Sequence, residues 1–155
     1  MRFEIIPHKG IGPVLLGMNR SEVITIMAGI GGGSPESRSD LTDCFFENSF
    51  QVSYNDQGKV EFIEIANDPQ HEFILWDRDV FDQTAHETLS HIMQFDSADP
   101  ELSEGENNFF FSSLILTLWD IDEQYDHKGG QKRPMVGAIG VGDQNYLSEI
   151  RNIKL

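Results

Sequence analysis

An α+β architecture is what the chain predicts: two β-α-β-β-β pseudo-repeats, residues 1–67 and 68–155, forming one domain with an antiparallel sheet and two helices on one side. Three observations lead there. Apolar residues alternate at period two through the middle of the chain, as in half-buried strands. The stretch FFENSFQVSYND, Phe45 to Asp56, matches FFFSSLILTLWD, Phe109 to Asp120, at a shift of 64, with identity at Phe45/Phe109, Phe46/Phe110, Ser49/Ser113 and Asp56/Asp120. Two helix starts, Asn19 with Glu22 and Thr84 with Glu87, match at a shift of 65, which is the pattern of a tandem duplication.

In chain order, Phe3 to Ile6 reads as a first strand ended by Pro7, and Val14 to Leu16 leads towards a helix. Asn19 is placed as its N-cap with Glu22 at N3, a near capping box, and Val23, Ile24, Ile26 and Met27 form the apolar stripe. Gly29 stops the helix, and Gly29 to Asp40 reads as a flexible loop. Its glycines follow a helix and no lysine closes a phosphate motif, so the segment reads as a C-cap and linker. Strands resume around Cys44, and Phe50, Val52 and Tyr54 alternate with polar residues before the turn NDQGK. Val60, Phe62, Ile63 and Ile65 return as the second arm of a hairpin, whose polar face is expected to carry Glu61 and Glu64.

Asp68-Pro69 closes the first half. His71 to Val80 reads as one strand, Thr84 with Glu87 as a fuller capping box, and the helix runs to about Gln94 with Leu89, Ile92 and Met93 as its core stripe. Phe109 to Asp120 reads as one strand buried on both faces. Ile121 to Met135, far longer than the matching turn Gln57 to Lys59, is a loop of recognition length with its basic charge at His127, Lys128, Lys132 and Arg133. VGAIGVG then resumes the sheet.

With 155 residues and 39% hydrophobic content, including eleven Phe and two Trp, the chain can bury roughly two thirds of its unfolded surface. No apolar run reaches the length of a membrane span. Arg2 supplies a leader's charge, but Glu4 and Pro7 break up any apolar leader region and no small-residue cleavage site follows, so a cytoplasmic location is expected. The single Cys44 excludes an internal disulfide framework, reads as an inert strand residue and fits a reducing compartment. A net charge of -15 repels nucleic acids and anionic membranes, and favours either simple solubility or an acidic face that meets a basic protein.

Catalytic signatures are weak. HETLSH, His86 to His91, is one residue too long for the zinc motif H-E-x-x-H, which puts its imidazoles about 140° apart around a helix. DIDEQYD, Asp120 to Asp126, has the first two acids of a calcium loop but Tyr125 in place of its glycine, and no Glu at twelve. No G-x-S-x-G elbow exists, and Cys44 has no identifiable His partner. No cofactor and no metal site is expected, and the chain reads as a non-enzyme.

The stretch IGPVLLGMNRSEVITIM, the hairpin ending GKVEFIEI, then LILTLWD and VGAIGV resemble small bacterial proteins that include immunity proteins encoded beside polymorphic toxins. The Gly17 to Val23 piece is also similar to the helix start of β-lactamase inhibitory proteins and of small outer-membrane assembly lipoproteins. The resemblance implies a non-catalytic protein-binding scaffold, here an immunity-type inhibitor of a basic toxin. Glu61, Glu64, Asp120, Asp122, Glu123 and Asp126 are the candidate contacts, with Trp119 and Tyr125 as candidate aromatic anchors. The alternatives are a small hydrolase using His86, His91 and His127 with carboxylates, and a homodimeric structural module.

Overall fold

The computed structural model describes residues 1–122 and 124–154, and the side chains of all of these except 128 and 154. Fourteen strands and three α-helices follow in the order β1 (Arg2–Ile6), β2 (Gly10–Ile11), β3 (Val14–Leu15), α1 (Arg20–Gly29), β4 (Glu36–Ser39), β5 (Thr42–Phe45), β6 (Phe50–Tyr54), β7 (Val60–Ile65), β8 (Glu72–Leu75), β9 (Arg78–Asp79), α2 (Ala85–Ile92), β10 (Phe109–Phe111), β11 (Leu116–Trp119), β12 (Gln124–Asp126), β13 (Arg133–Met135), β14 (Ala138–Gly142) and α3 (Gln144–Lys154). The expected α+β architecture is present.

A seven-stranded antiparallel sheet has the order β10-β11-β14-β7-β6-β5-β4, and a five-stranded sheet has the order β3-β2-β1-β8-β9. Cross-strand rows explain why the large sheet forms. Leu118, Ile139, Ile65, Phe50 and Phe45 lie in register on one face, beside a second row of Leu116, Val141, Ile63 and Val52. These rows pack against Phe3 and Phe73 of the small sheet, Val23 and Met27 of α1, and Ala85 and Ile92 of α2 as one buried cluster. Burying such rows is what makes each strand worth its ordering entropy.

Several expectations need correction. The pairing is not antiparallel throughout, because β1 and β8 run parallel with Phe3 opposite Phe73. The helices are not two on one side. α3 lies on the opposite face, where Leu147 joins Leu102, Phe110 and Ile115 in a second cluster and Tyr146 stacks on Phe62 with ring centroids 4.2 Å apart. His71 to Val80 is a hairpin, β8–β9, turned at Trp76 and Asp77, whose φ values are 48° and 68°. Phe109 to Asp120 likewise folds back on itself as β10–β11. The loop after α1 contains an edge strand, β4, which pairs with β5.

The two helix starts behave differently. Thr84 and Glu87 form a complete reciprocal capping box. Asn19 stands at the N-cap of α1 without capping it, because its Oδ1 accepts from Lys59 Nζ at 2.6 Å and its Nδ2 donates to Glu22 at 2.8 Å. α1 includes Gly29 and ends at Ile30. On α2, Met93 is the C-cap and points outward, 55% exposed, while His91 takes the buried position expected of it.

Candidate functional site

The sequence-derived contacts fall in different places. Glu61 is buried: it lies where β7 bulges against β6, and Asn145 Nδ2 donates to its Oε2 at 2.6 Å. It does not sit on an open polar face. Glu64 is half-buried in the row between Gly140 and Gln51, and burial, joined by Asp120 and opposed by Arg38, raises its pKa. Trp119 and Asp120 border a shallow hollow with Glu104 and Asn108, and the Asp120 amide donates to Asn108 Oδ1 at 2.9 Å. Asp122 is exposed, and Glu123 lies outside the described residues.

Ile121 to Met135 is not a plain loop. β12 and β13 pair as a short arm with Tyr125 opposite Pro134 and Asp126 opposite Arg133. The guanidinium of Arg133 donates through Nε and Nη2 to the two oxygens of Asp126, both at 2.8 Å. Lys132 Nζ lies 4.1 Å from the Tyr125 ring centre, a cation–π contact on an exposed ring. Arg133 Nη2 also reaches the Asp82 carbonyl at 3.5 Å, which ties the arm to the segment before α2.

Between the arm and the small sheet lies a cleft of about 700 Å³. Ile74 and Phe81 are its buried apolar floor, and six carboxylates line it: Asp68, Glu72, Asp77, Asp79, Asp82 and Asp126. Among the described residues no Lys or Arg lines it and His71 is its basic lining residue, while Arg133 pairs with Asp126 at its rim. Local structure explains the placement. Register puts Asp79 opposite Ile74 on the outer face of the small sheet, and Asp79 Oδ1 accepts the Phe81 amide at 3.0 Å, which turns the chain towards α2.

At the other end, Asp68 organises the turn into β8. Its Oδ1 accepts the Gln70 amide at 2.9 Å, and its Oδ2 lies 2.9 Å from His71 Nδ1 and accepts from Ser49 Oγ at 3.2 Å. Burial pushes this carboxyl up, but the Gln70 amide, His71 and Ser49 outweigh it, so its pKa sits below the usual value. The His71 ring is held against Phe46 and Phe3, with centroids 4.5 and 5.2 Å away. Serine, histidine and aspartate thus meet, but in the wrong order for acyl transfer. The carboxylate stands between the other two, whereas a nucleophilic triad needs the imidazole in the middle to take the hydroxyl proton. Ser49 Oγ spends its proton on the Phe46 carbonyl or on Asp68.

The other histidines do not converge either. His86 is exposed, while His91 is buried against Trp76 and Phe95, where burial and Arg78 lower its pKa. His127 is exposed between β12 and β13. Among the described residues, no three His, Cys, Asp or Glu side chains are grouped as metal ligands would be, and no helix is long and apolar enough to cross a membrane.

No family model, curated protein or solved structure matches the chain. The cleft therefore speaks through its own chemistry. Sequence reasoning identified only Asp126 among its carboxylates. The remaining signal was the acidic density of Asp68 to Asp82, wrapped around the apolar EFIL of β8.

Proposed function

We propose that this protein is a non-catalytic binding module, an immunity-type inhibitor acting in the cytoplasm, whose acidic cleft receives a basic surface of a toxin. The observation that carries the reading is the cleft itself: six carboxylates, one of them paired with Arg133, around an apolar floor with no Lys or Arg among its described lining residues. In a chain of net charge -15, such a concavity steers a cationic partner and disfavours nucleic acid. The resemblance of Gly17 to Val23 and its surroundings to immunity proteins supports the same reading. So does the strand order, in which β10-β11-β14 and β5-β6-β7 stand at mirrored places about the β14–β7 pair. That order supports a tandem duplication, an architecture suited to presenting surfaces between repeats.

The test uses the product of the neighbouring gene. Titrating it calorimetrically into the full-length protein and into an E72Q/D77N variant should give association that weakens at least tenfold in the variant and falls steeply with salt, as charge-steered interfaces do. A neighbour that does not bind, or binds both proteins equally, would sink the proposal. Both substituted side chains are exposed, so the variant keeps the fold.

A further inference from the structure

The β8–β9 hairpin places at its tip a residue that its backbone geometry disfavours. Leu75 pairs with Arg78, so Trp76 and Asp77 form a two-residue turn with φ of 48° and 68°. Such turns are ordinarily filled by Asn and Gly, because a Cβ is crowded in the left-handed region. A large aromatic held there needs another reason. Trp76 packs on Phe95 at a 34° tilt with centroids 4.2 Å apart and meets the His91 ring edge-on at 5.4 Å. Trp76 is half-buried against the main core, but its nearest ring partner, Phe95, is 58% exposed, and Met93, two residues earlier, is 55% exposed. An exposed aromatic ring resting on a half-buried Trp is the composition of interface centres.

This ledge adjoins the acidic cleft. Asp77, next in the turn, is one of the cleft carboxylates. Beside His91 lies a hollow lined by Arg78, His86, Glu87, Ser90 and Gln94, where Glu87 offsets Arg78, so the concentrated negative charge stands on the Asp77 side.

We infer that Trp76 and Phe95 are the apolar anchor of the partner-binding surface, and that its occupant is a basic segment carrying a large apolar side chain beside its Lys or Arg residues. The inference rests on the cleft being the partner site. Charge complementarity fixes the direction: the cations lie over Glu72 and Asp77, where the carboxylates are concentrated, and the apolar group lies on the ledge.

Two synthetic peptides of equal length and charge serve as probes, one of Arg, Lys and Ser alone, the other with two Ser replaced by Leu. Each is titrated calorimetrically into the full-length protein and into the F95S, W76A and E72Q/D77N variants, with circular dichroism to confirm folding. F95S alters an exposed side chain and keeps the test alive if W76A unfolds. The Leu peptide should bind roughly tenfold more tightly to the parent, lose that advantage in F95S, and weaken together with the Ser peptide in E72Q/D77N. Equal affinity of the two peptides, or an advantage that survives F95S, overturns the anchor and leaves the cleft reading intact. A Leu preference that is lost in F95S but indifferent to E72Q/D77N overturns the cleft reading and the basic character of the occupant. Binding of neither peptide overturns both.

Discussion

Asn145 Nδ2 lies 2.6 Å from Glu61 Oε2 and 3.2 Å from Glu149 Oε1, so one amide donates to two carboxylates across the seam between β7 and α3. The Asp143 amide donates to the Glu61 carbonyl at 3.0 Å, which fixes the start of α3 on the same strand. Burial raises the Glu61 pKa, Asn145 opposes the rise, and Glu149 and Asp143 add to it, leaving it at about 7. Burial, followed by Glu64, Glu61 and Glu149, likewise raises the Tyr146 pKa beside them.

The consequence is a pH-dependent seam. Relative to an ordinary value of 4.5, the folded state holds this proton to higher pH than the unfolded chain. Glu61 therefore favours folding fully below about pH 4.5, and its contribution is lost as pH rises towards about 7. The expected loss is on the order of 1 kcal/mol once solvent screening is allowed for. Urea midpoints measured from pH 5 to 8 should fall with pH, and E61Q, which cannot ionise, should flatten the slope. An unchanged slope in E61Q would remove Glu61 from the account.

The two helix caps predict unequal costs. Thr84 satisfies the Glu87 amide and is itself met by the Glu87 carboxylate, so T84A should destabilise by about 1 kcal/mol. Asn19 offers no such bond to α1 and only holds Lys59 and Glu22 at an exposed site, so N19A should cost under about half of that. Chemical denaturation of both variants decides the order, and an equal or larger loss in N19A would contradict it.

That contrast also shows what the sequence could convey. The Thr84 box was readable because both of its partners lie within four residues. The Asn19 box was not, because Lys59, forty residues away in sequence, takes the oxygen. The hairpins at Trp76–Asp77 and at Ser112–Ile115 look like continuous strands in the sequence because neither turn carries the Asn or Gly that marks such a bend. α3 was missed although its signals were present: Asp143 Oδ1 accepts the Tyr146 amide at 2.9 Å as a cap would, and Tyr146, Leu147 and Ile150 form its apolar side. The cleft needed the parallel β1–β8 pairing and the β12–β13 arm before its carboxylates met. Charge could be counted along the chain but not placed.

Gly140 is a packing requirement of the outer face. A Cβ there would meet the Phe62 ring, with Cε2 at 2.7 Å, and Thr117 Oγ1 at 2.8 Å. Phe62 cannot swing away freely because Tyr146 stacks on it. G140A should therefore cost about 1–3 kcal/mol and loosen α3, read as faster amide exchange in residues 144–150. F62L should rescue part of the loss, so the double variant should be more stable than the sum of its single effects implies. Strict additivity would show that the ring is not the obstacle.

The arm separates recognition by a shaped cleft from attraction by overall charge. Its ends are core residues, with Ile121 4% and Met135 5% exposed, whereas β12 and β13 pair with each other. Replacing residues 124–133 by Asn-Gly should thus keep the anchors and let the chain close. The excised segment carries Asp126 against Lys128, Lys132 and Arg133, a net of +2, so the net charge moves from -15 to -17. Attraction by charge alone would make the shortened protein bind a basic partner more tightly. A cleft that needs Asp126 and the arm beside Asp82 should instead bind it more weakly, by roughly tenfold or more if one interface anchor is lost. Calorimetry with the basic Leu peptide, after circular dichroism has confirmed folding, gives opposite signs for the two cases. Tighter binding would show that the arm shields the acidic face and forms no part of its contact.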